Sequence, residues 1–316
     1  MIKNRGAFIV GIKSTSLSKK EKIFLKKYKP WGVILFSRNL KEFKQIKKLT
    51  SDIRFAFKDK KYPILIDQEG GRVNRLHNLI EASPFTAEYF GNLYKTNKYK
   101  FSNYYKVYID QISYLLNELG ININTIPVLD VRKSKFNNII GDRSYSYIPK
   151  HVSNIGDFCI KEFKKHQLGT IVKHIPGHGL TNVDSHIKTP IIKFKSKYLF
   201  KNDFSTFKNK KSFFAMTAHI IYKDIDPINT ATHSSKIINL IRKKIGFKNL
   251  IISDDISMKA LKGNIKINTL RAISAGCNLI LHCNANYKEM RIVAENSHSV
   301  DNFIIKKTSQ FYNFLS

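Results

Sequence analysis

Residues 170–186 read TIVKHIPGHGLTNVDSH. Thr170–Lys173 is a short β-rich run, apolar at the consecutive positions Ile171 and Val172 rather than alternating, as expected of a parallel strand covered on both faces. It runs directly into a polar cluster: Lys173, His174 and His178 among glycines and a proline, then Asp184, Ser185 and His186. A lysine at the end of a buried strand must find an anion or shift its pKa. A buried strand that ends in a polar cluster decides the fold if it repeats, because barrels of alternating strands and helices gather their chemistry at the C-terminal ends of the strands.

It does repeat. The corresponding apolar runs are Ala7–Gly11, Gly32–Phe36, Tyr62–Ile66, Ile121–Leu129, Phe213–Ala218, Leu250–Ser253 and Asn278–His282, eight with Thr170–Lys173. Helical spacing fills the gaps. Ser18–Tyr28 opens on a capping box, with Glu21 three residues after Ser18. Phe101–Leu119, Pro149–Leu168, Ser234–Ile245 and Ile265–Ala275 each stop at a glycine, and Asn302–Leu315 closes the chain. Strand and helix alternate throughout, so the sheet is parallel with right-handed crossovers. Eight strands predict a single-domain α/β fold, a (β/α)8 TIM barrel over residues 1–316. A doubly wound open sheet is the alternative. The 316 residues suit a barrel of ~250 residues with insertions.

Other clusters fall at strand ends as well: Asp67 to Arg75 after the third strand, Asp130 and Gly141-Asp142-Arg143-Ser144 after the fourth, His219 after the sixth, Asp254-Asp255 after the seventh. Each has a structural reading. Gly70-Gly71 is a turn signal, and Arg72 and Arg75 can pair with Asp67 and Glu69. Asp184 two residues before His186 can orient an imidazole, though Asp-x-His is usually structural. Asp254 can be a nucleophile or a helix cap; with Asp255 beside it, strand alternation turns only one of the two inward. The histidines match no compact ligand spacing, so no metal is expected.

Composition narrows the partners. Lys and Arg number 55 against 23 Asp and Glu, a net charge of +32. The cations are scattered through every segment beside Ile, Asn, Phe or Tyr, without the stripe or aromatic-basic motif of a nucleic-acid binder. The excess therefore reads as compositional drift, although it attracts anionic ligands at low salt. Three cysteines, Cys159, Cys277 and Cys283, lie in apolar runs and form no C-x-x-C, which predicts buried thiols and a reducing compartment. No run approaches a transmembrane length, and the apolar stretch Ala7–Ile12 is short for a signal core, so the expectation is a soluble cytoplasmic protein with no membrane partner.

Taken in order, KHIPGHGLTNVDSHIKTP (173–190), DQEGGRVNRL (67–76), GDRSYS (141–146), MTAHIIY (216–222) and SDDISM (253–258) resemble family 3 glycoside hydrolases, and more narrowly the bacterial β-N-acetylhexosaminidases of peptidoglycan recycling. The resemblance spans nearly the whole chain. It implies Asp254 as nucleophile, His186 as acid/base and Asp184 as its dyad partner. It also implies that Asp67, Arg75, Arg143, Lys173 and His174 hold the terminal sugar and that His219 lines the pocket. No metal or organic cofactor is implied. The expected reaction is retaining removal of terminal β-1,4-linked N-acetylglucosamine from cytosolic muropeptides (N-acetylglucosamine on anhydro-N-acetylmuramic acid) by a monomer. Leu180 stands where the family usually has Asp, which puts the loop's packing in question. Alternatives are a phosphorylase on the same site, a Schiff-base lyase built on Lys173, and a basic nucleic-acid-binding barrel without enzymatic role.

Overall fold

The computed structural model describes residues 2–133, 139–181, 183–185 and 187–316. Eight parallel strands form the sheet: β1 Gly6–Gly11, β2 Pro30–Leu35, β3 Ile64–Ile66, β4 Ile123–Asn124, β5 Gly169–Ile175, β6 Phe214–Thr217, β7 Leu250–Ile252 and β8 Ile280–His282. Neighbours in sequence are neighbours in the sheet, β8 pairs back onto β1 (Phe8 opposite Ile280), and a parallel bridge between Ile252 and Leu279 closes the ring. The (β/α)8 barrel is therefore the fold, and the open doubly wound sheet is excluded.

Strand alternation sorts the apolar residues into two cores. Ile9, Ile34, Leu65, Ile123, Ile171, Phe214 and Leu250 form one cluster inside the barrel. The alternate positions Val10, Val33, Ile64, Val172, Ala215 and Ile251 join the larger cluster under the helices. This is why the runs read as continuously apolar. Trp31 sits in the inner cluster, its indole N–H donating to Thr308 at 2.9 Å. Phe311 packs on Phe214, so the final helix covers the end of the barrel opposite the polar clusters.

The helices are α1 Lys19–Tyr28, α2 Phe43–Phe57, α3 Ala87–Thr96, α4 Lys98–Glu118, α5 Pro149–Lys165, α6 Ser196–Lys201, α7 Ser235–Leu240, α8 Ile265–Ala275, α9 Tyr287–Asn296 and α10 Asn302–Phe314. The Ser18–Glu21 capping box is present in both directions. Gly276 ends α8 in the left-handed region, as expected. Three expectations shift. The fourth strand pairs only over Ile123–Asn124, because Pro127 offers no N–H; beyond it only Val128 bridges to Lys173. Ser234–Ile245 is not one regular helix: α7 ends at Leu240 and a wider turn, Ile241–Ile245, continues to Gly246. The helix expected to reach Leu168 ends at Lys165, and Gln167 turns left-handed to start β5. No helix among the described residues is long and apolar enough to cross a membrane.

Candidate active site

A cavity of about 370 Å³ opens at the C-terminal ends of the strands. Asp67, Arg75, Arg143, Lys173, His174, Asp184 and Asp254 all border it, although they come from positions up to 187 residues apart. His186 lies outside the described residues.

The floor is an ion network built from the ends of β3 and β5. Lys173 is 2% exposed, and its ammonium has three partners: Asp67, Glu69 at 2.6 Å and the Thr125 hydroxyl at 3.0 Å. That matches its three donors, so the anion demanded by a lysine on a buried strand is supplied twice. Asp67 also accepts from Arg75 at 2.8 Å, and Glu69 takes a two-pronged bond from Arg143, with both distances 2.7 Å. Burial opposes the Asp67 charge, but Lys173 and Arg75 outweigh it and hold the carboxyl far below the usual range. Arg143, despite its burial, is raised by Glu69 and stays charged. Three cations against two carboxylates leave the floor positive. Arg72 pairs with Asp142 at 3.1 Å.

The segment after β4 supplies the next layer. Asp130 is fully buried and accepts from His174 Nδ1 at 2.8 Å and from the backbone N–H groups of His174 (3.2 Å) and His178 (2.7 Å). A carboxylate at Nδ1 places the proton there and leaves Nε2 for the cavity. Burial works against the Asp130 charge, yet His174 brings its pKa below the ordinary value. Burial, with His174 nearby, pushes His178 down to about 4, so that ring is neutral at pH 7.

Asp254 follows β7 and Ser253. Its burial favours the neutral acid, but the fields of His219, His174 and Lys173 and the N–H of Asp255 (2.8 Å) lower its pKa. It is therefore ionised at neutral pH. Asp255 is spent on structure: its carboxylate accepts from the Ser257 N–H (3.0 Å) and hydroxyl (2.8 Å) and from the Cys283 N–H (3.2 Å). Both aspartates border the cavity, contrary to the expectation that only one turns inward. The strand ends at Ile252, so alternation no longer governs the two positions.

Asp184 borders the cavity from the loop after β5. The loop is fastened on two sides. Tyr222 donates to the Gly177 carbonyl. The Ala260 N–H donates to Ser185 at 3.0 Å, while Thr189 donates to the Ala260 carbonyl at 2.6 Å. Leu180, where the family usually has Asp, packs half-buried against the main core, so apolar contact occupies that position.

Two placements differ from expectation. His219 is fully buried and does not border the cavity. Its Nε2–H donates to the Asp255 carbonyl at 3.0 Å and its Nδ1 meets Thr232 at 2.7 Å, so it supports the Asp254–Asp255 turn from behind. Cys159 and Cys277 are buried thiols, but Cys283 is only partly buried and borders the cavity. Sequence reasoning offered Glu69 only Arg72 or Arg75 as partners, where Arg143 and Lys173 take it, and gave Asp130 no role. The signal was present, since both sit where a buried strand gives way to a polar cluster.

This arrangement can bind a polyhydroxylated ligand on fixed charges and present the ionised Asp254 carboxylate to it. Among the described residues no group of three or more His, Cys, Asp or Glu is placed to hold a metal ion. The family described as "Glycosyl hydrolase family 3 N terminal domain" matches residues 4–309. The chain belongs to glycosyl hydrolase family 3. It is a glycoside hydrolase of that family. Its relatives include the β-hexosaminidases of Haemophilus ducreyi, 33% identical over 87% of this chain and 80% of the relative, and of Nitrosomonas eutropha, 31% identical over 88% and 81%. Among solved structures, NagZ from Neisseria gonorrhoeae in complex with N-trifluoroacetyl-D-glucosamine is 26% identical and superposes with a TM-score of 0.87, covering 99% of this chain and 90% of that one.

Proposed function

We propose that this family 3 hydrolase is a retaining exo-β-N-acetylglucosaminidase that removes terminal β-1,4-linked N-acetylglucosamine from cytoplasmic muropeptides in peptidoglycan recycling. The observation that carries the reading is Asp254, ionised at the edge of a closed set of cationic and imidazole groups, with Asp184 on the same cavity. The β-hexosaminidase relatives and the aminosugar-bound NagZ neighbour support the choice of sugar.

In this mechanism Asp254 attacks the anomeric carbon and forms a covalent glycosyl-enzyme. His186, steadied by Asp184, gives its proton to the leaving oxygen and then takes one from the water that releases the sugar. An imidazole with an ordinary pKa of ~6.5 serves both steps near neutral pH. Asp67 accepts from sugar hydroxyls while Arg75 and Arg143 donate to hydroxyls and the acetamido group through their remaining N–H groups; His174 meets the sugar through Nε2, and Lys173 contributes its charge from beneath. The ion pairs fix these groups before substrate arrives, which limits the ordering cost of binding.

The test is release of 4-nitrophenol from its β-N-acetylglucosaminide. Asp254→Asn is expected to abolish turnover and His186→Ala to slow it, with both variants folded. A folded wild-type protein that releases no 4-nitrophenol overturns the reading.

A further inference from the structure

One buried acid beside the site takes no part in that chemistry. Asp203 opens the short turn Asp203–Phe207 after α6, is 1% exposed, and neither carboxyl oxygen makes a well-formed hydrogen bond. A buried carboxyl in that state costs stability that an apolar residue would not, so it calls for a reason.

Its surroundings supply one. The backbone N–H groups of Val131 and Gly179 face it. Gly177 lies so close that a Cβ there would overlap the Asp203 Cβ, and a Cβ on Gly179 would overlap the Val131 carbonyl. Asp203 thus lies beneath the contact between the segment after β4 and the loop after β5. Residues next to that contact do the work in the site: Asp130 precedes Val131, His178 precedes Gly179, and Asp130 holds His174.

We infer that Asp203 is a positioning residue whose carboxylate draws the Val131 and Gly179 N–H groups together and so seats the Asp130–His174 pair beside Asp254. Two backbone N–H donors suit a carboxylate better than its neutral acid. Burial lifts the Asp203 pKa to about 7; Lys133 opposes the shift, and Asp130 adds to it. Tyr222 is the other titratable neighbour. Charged groups on the remaining packed elements are committed or exposed. On α5, Asp157 pairs with Lys210 and Glu162 with Lys165. On α6, Lys197 and Lys201 face solvent. On β5, Lys173 and His174 are held by Asp67 and Asp130. In the Ile241–Ile245 turn, Arg242 binds carbonyls while Lys243 and Lys244 are exposed.

The experiment compares the full chain with Asp203→Asn, and with Asp203→Ser should the first fold poorly. It has two readouts. The first is thermal stability against pH. A folded pKa raised from 3.8 to about 7 adds stability that is fully present below the unfolded pKa and lost as pH rises through the folded one. The variant's Tm should therefore gain on wild type between pH 4 and pH 7 and hold a constant offset above that. The second rests on the hydrolase reading: wild-type kcat and kcat/KM for the nitrophenyl substrate should rise through a step near pH 7 that the variant lacks, and the variant's kcat/KM above the step should be about tenfold lower. A pH-independent Tm difference overturns the inference, as do kcat profiles of the same shape in both proteins. Wild type without hydrolase activity but with the Tm window intact overturns the functional reading instead, leaving the buried titration in place.

Discussion

Replacing Lys173 by Met tests the ion network at its centre. The side chain is 3% exposed and spends all three donors on Asp67, Glu69 and Thr125. Methionine has nearly the same length and no charge, so the change removes the cation with little change of volume. Breaking a buried ion pair by removing one partner costs roughly 3–5 kcal/mol, because a charge stays behind in a medium that solvates it poorly. Here each carboxylate retains a guanidinium, Arg75 on Asp67 and Arg143 on Glu69, which places the expected loss at about 3 kcal/mol, the low end of that range. Urea unfolding of wild type, Lys173→Met, Asp67→Asn and the double variant measures it. The cycle should return a coupling of about 1–3 kcal/mol, with the double variant less damaged than the sum of the singles. Lys173→Met with wild-type stability and no coupling to Asp67 would refute the argument that this network is what keeps two carboxylates charged beneath the cavity.

Further tests address pH and packing. Because the Asp254 pKa is lowered, the acid limb of kcat/KM due to this residue should lie below the ordinary carboxylate value of 3.8; a limb above 5 contradicts the assignment of Asp254 as the ionised group. Asp67 is depressed as well, so its contribution to stability is present above the unfolded carboxyl pKa and lost as pH falls through the folded one; calorimetry of Asp67→Asn against wild type should show the two converging in acid. His219→Gln removes a positive field that acts on Asp254, so the acid limb should move upward without a large change in KM. Gly179→Ala drives a methyl group into the Val131 carbonyl, which should cost about 1–3 kcal/mol and lower kcat while the far-UV dichroism stays unchanged.

Much of this was legible in the chain because burial leaves a direct mark on sequence. Eight runs of consecutive apolar residues gave the barrel, since a strand packed inside and outside has no polar face to betray alternation. Lys173 announced its anions, because a cation cannot end a buried strand alone. What was illegible depends on contacts between distant segments. The Asp67–Lys173 pairing crosses 106 residues, and nothing local tells Glu69 that Arg143 will reach it. The fourth strand looked long because Ile126, Val128 and Leu129 are buried, yet apolarity does not report which N–H groups find a ladder. His219 carried a motif but not its direction; the ring turns to Thr232 and the Asp255 carbonyl, a choice made by the β7 turn rather than by its own neighbours. Asp203 was passed over because the turn after α6 has no sequence signature of its own.

The barrel contributes one more property. Asp67 follows β3, Asp130 follows β4, Lys173 and His174 lie on β5, His219 follows β6 and Asp254 follows β7, so no two consecutive elements hold a working fraction of the site. A half-assembled sheet leaves Lys173 without Asp67 and Asp254 without its imidazoles. Catalysis is then a reporter of the whole arc from β3 to β7: during refolding, activity should lag the return of helical signal and appear only once β6 has paired with β7.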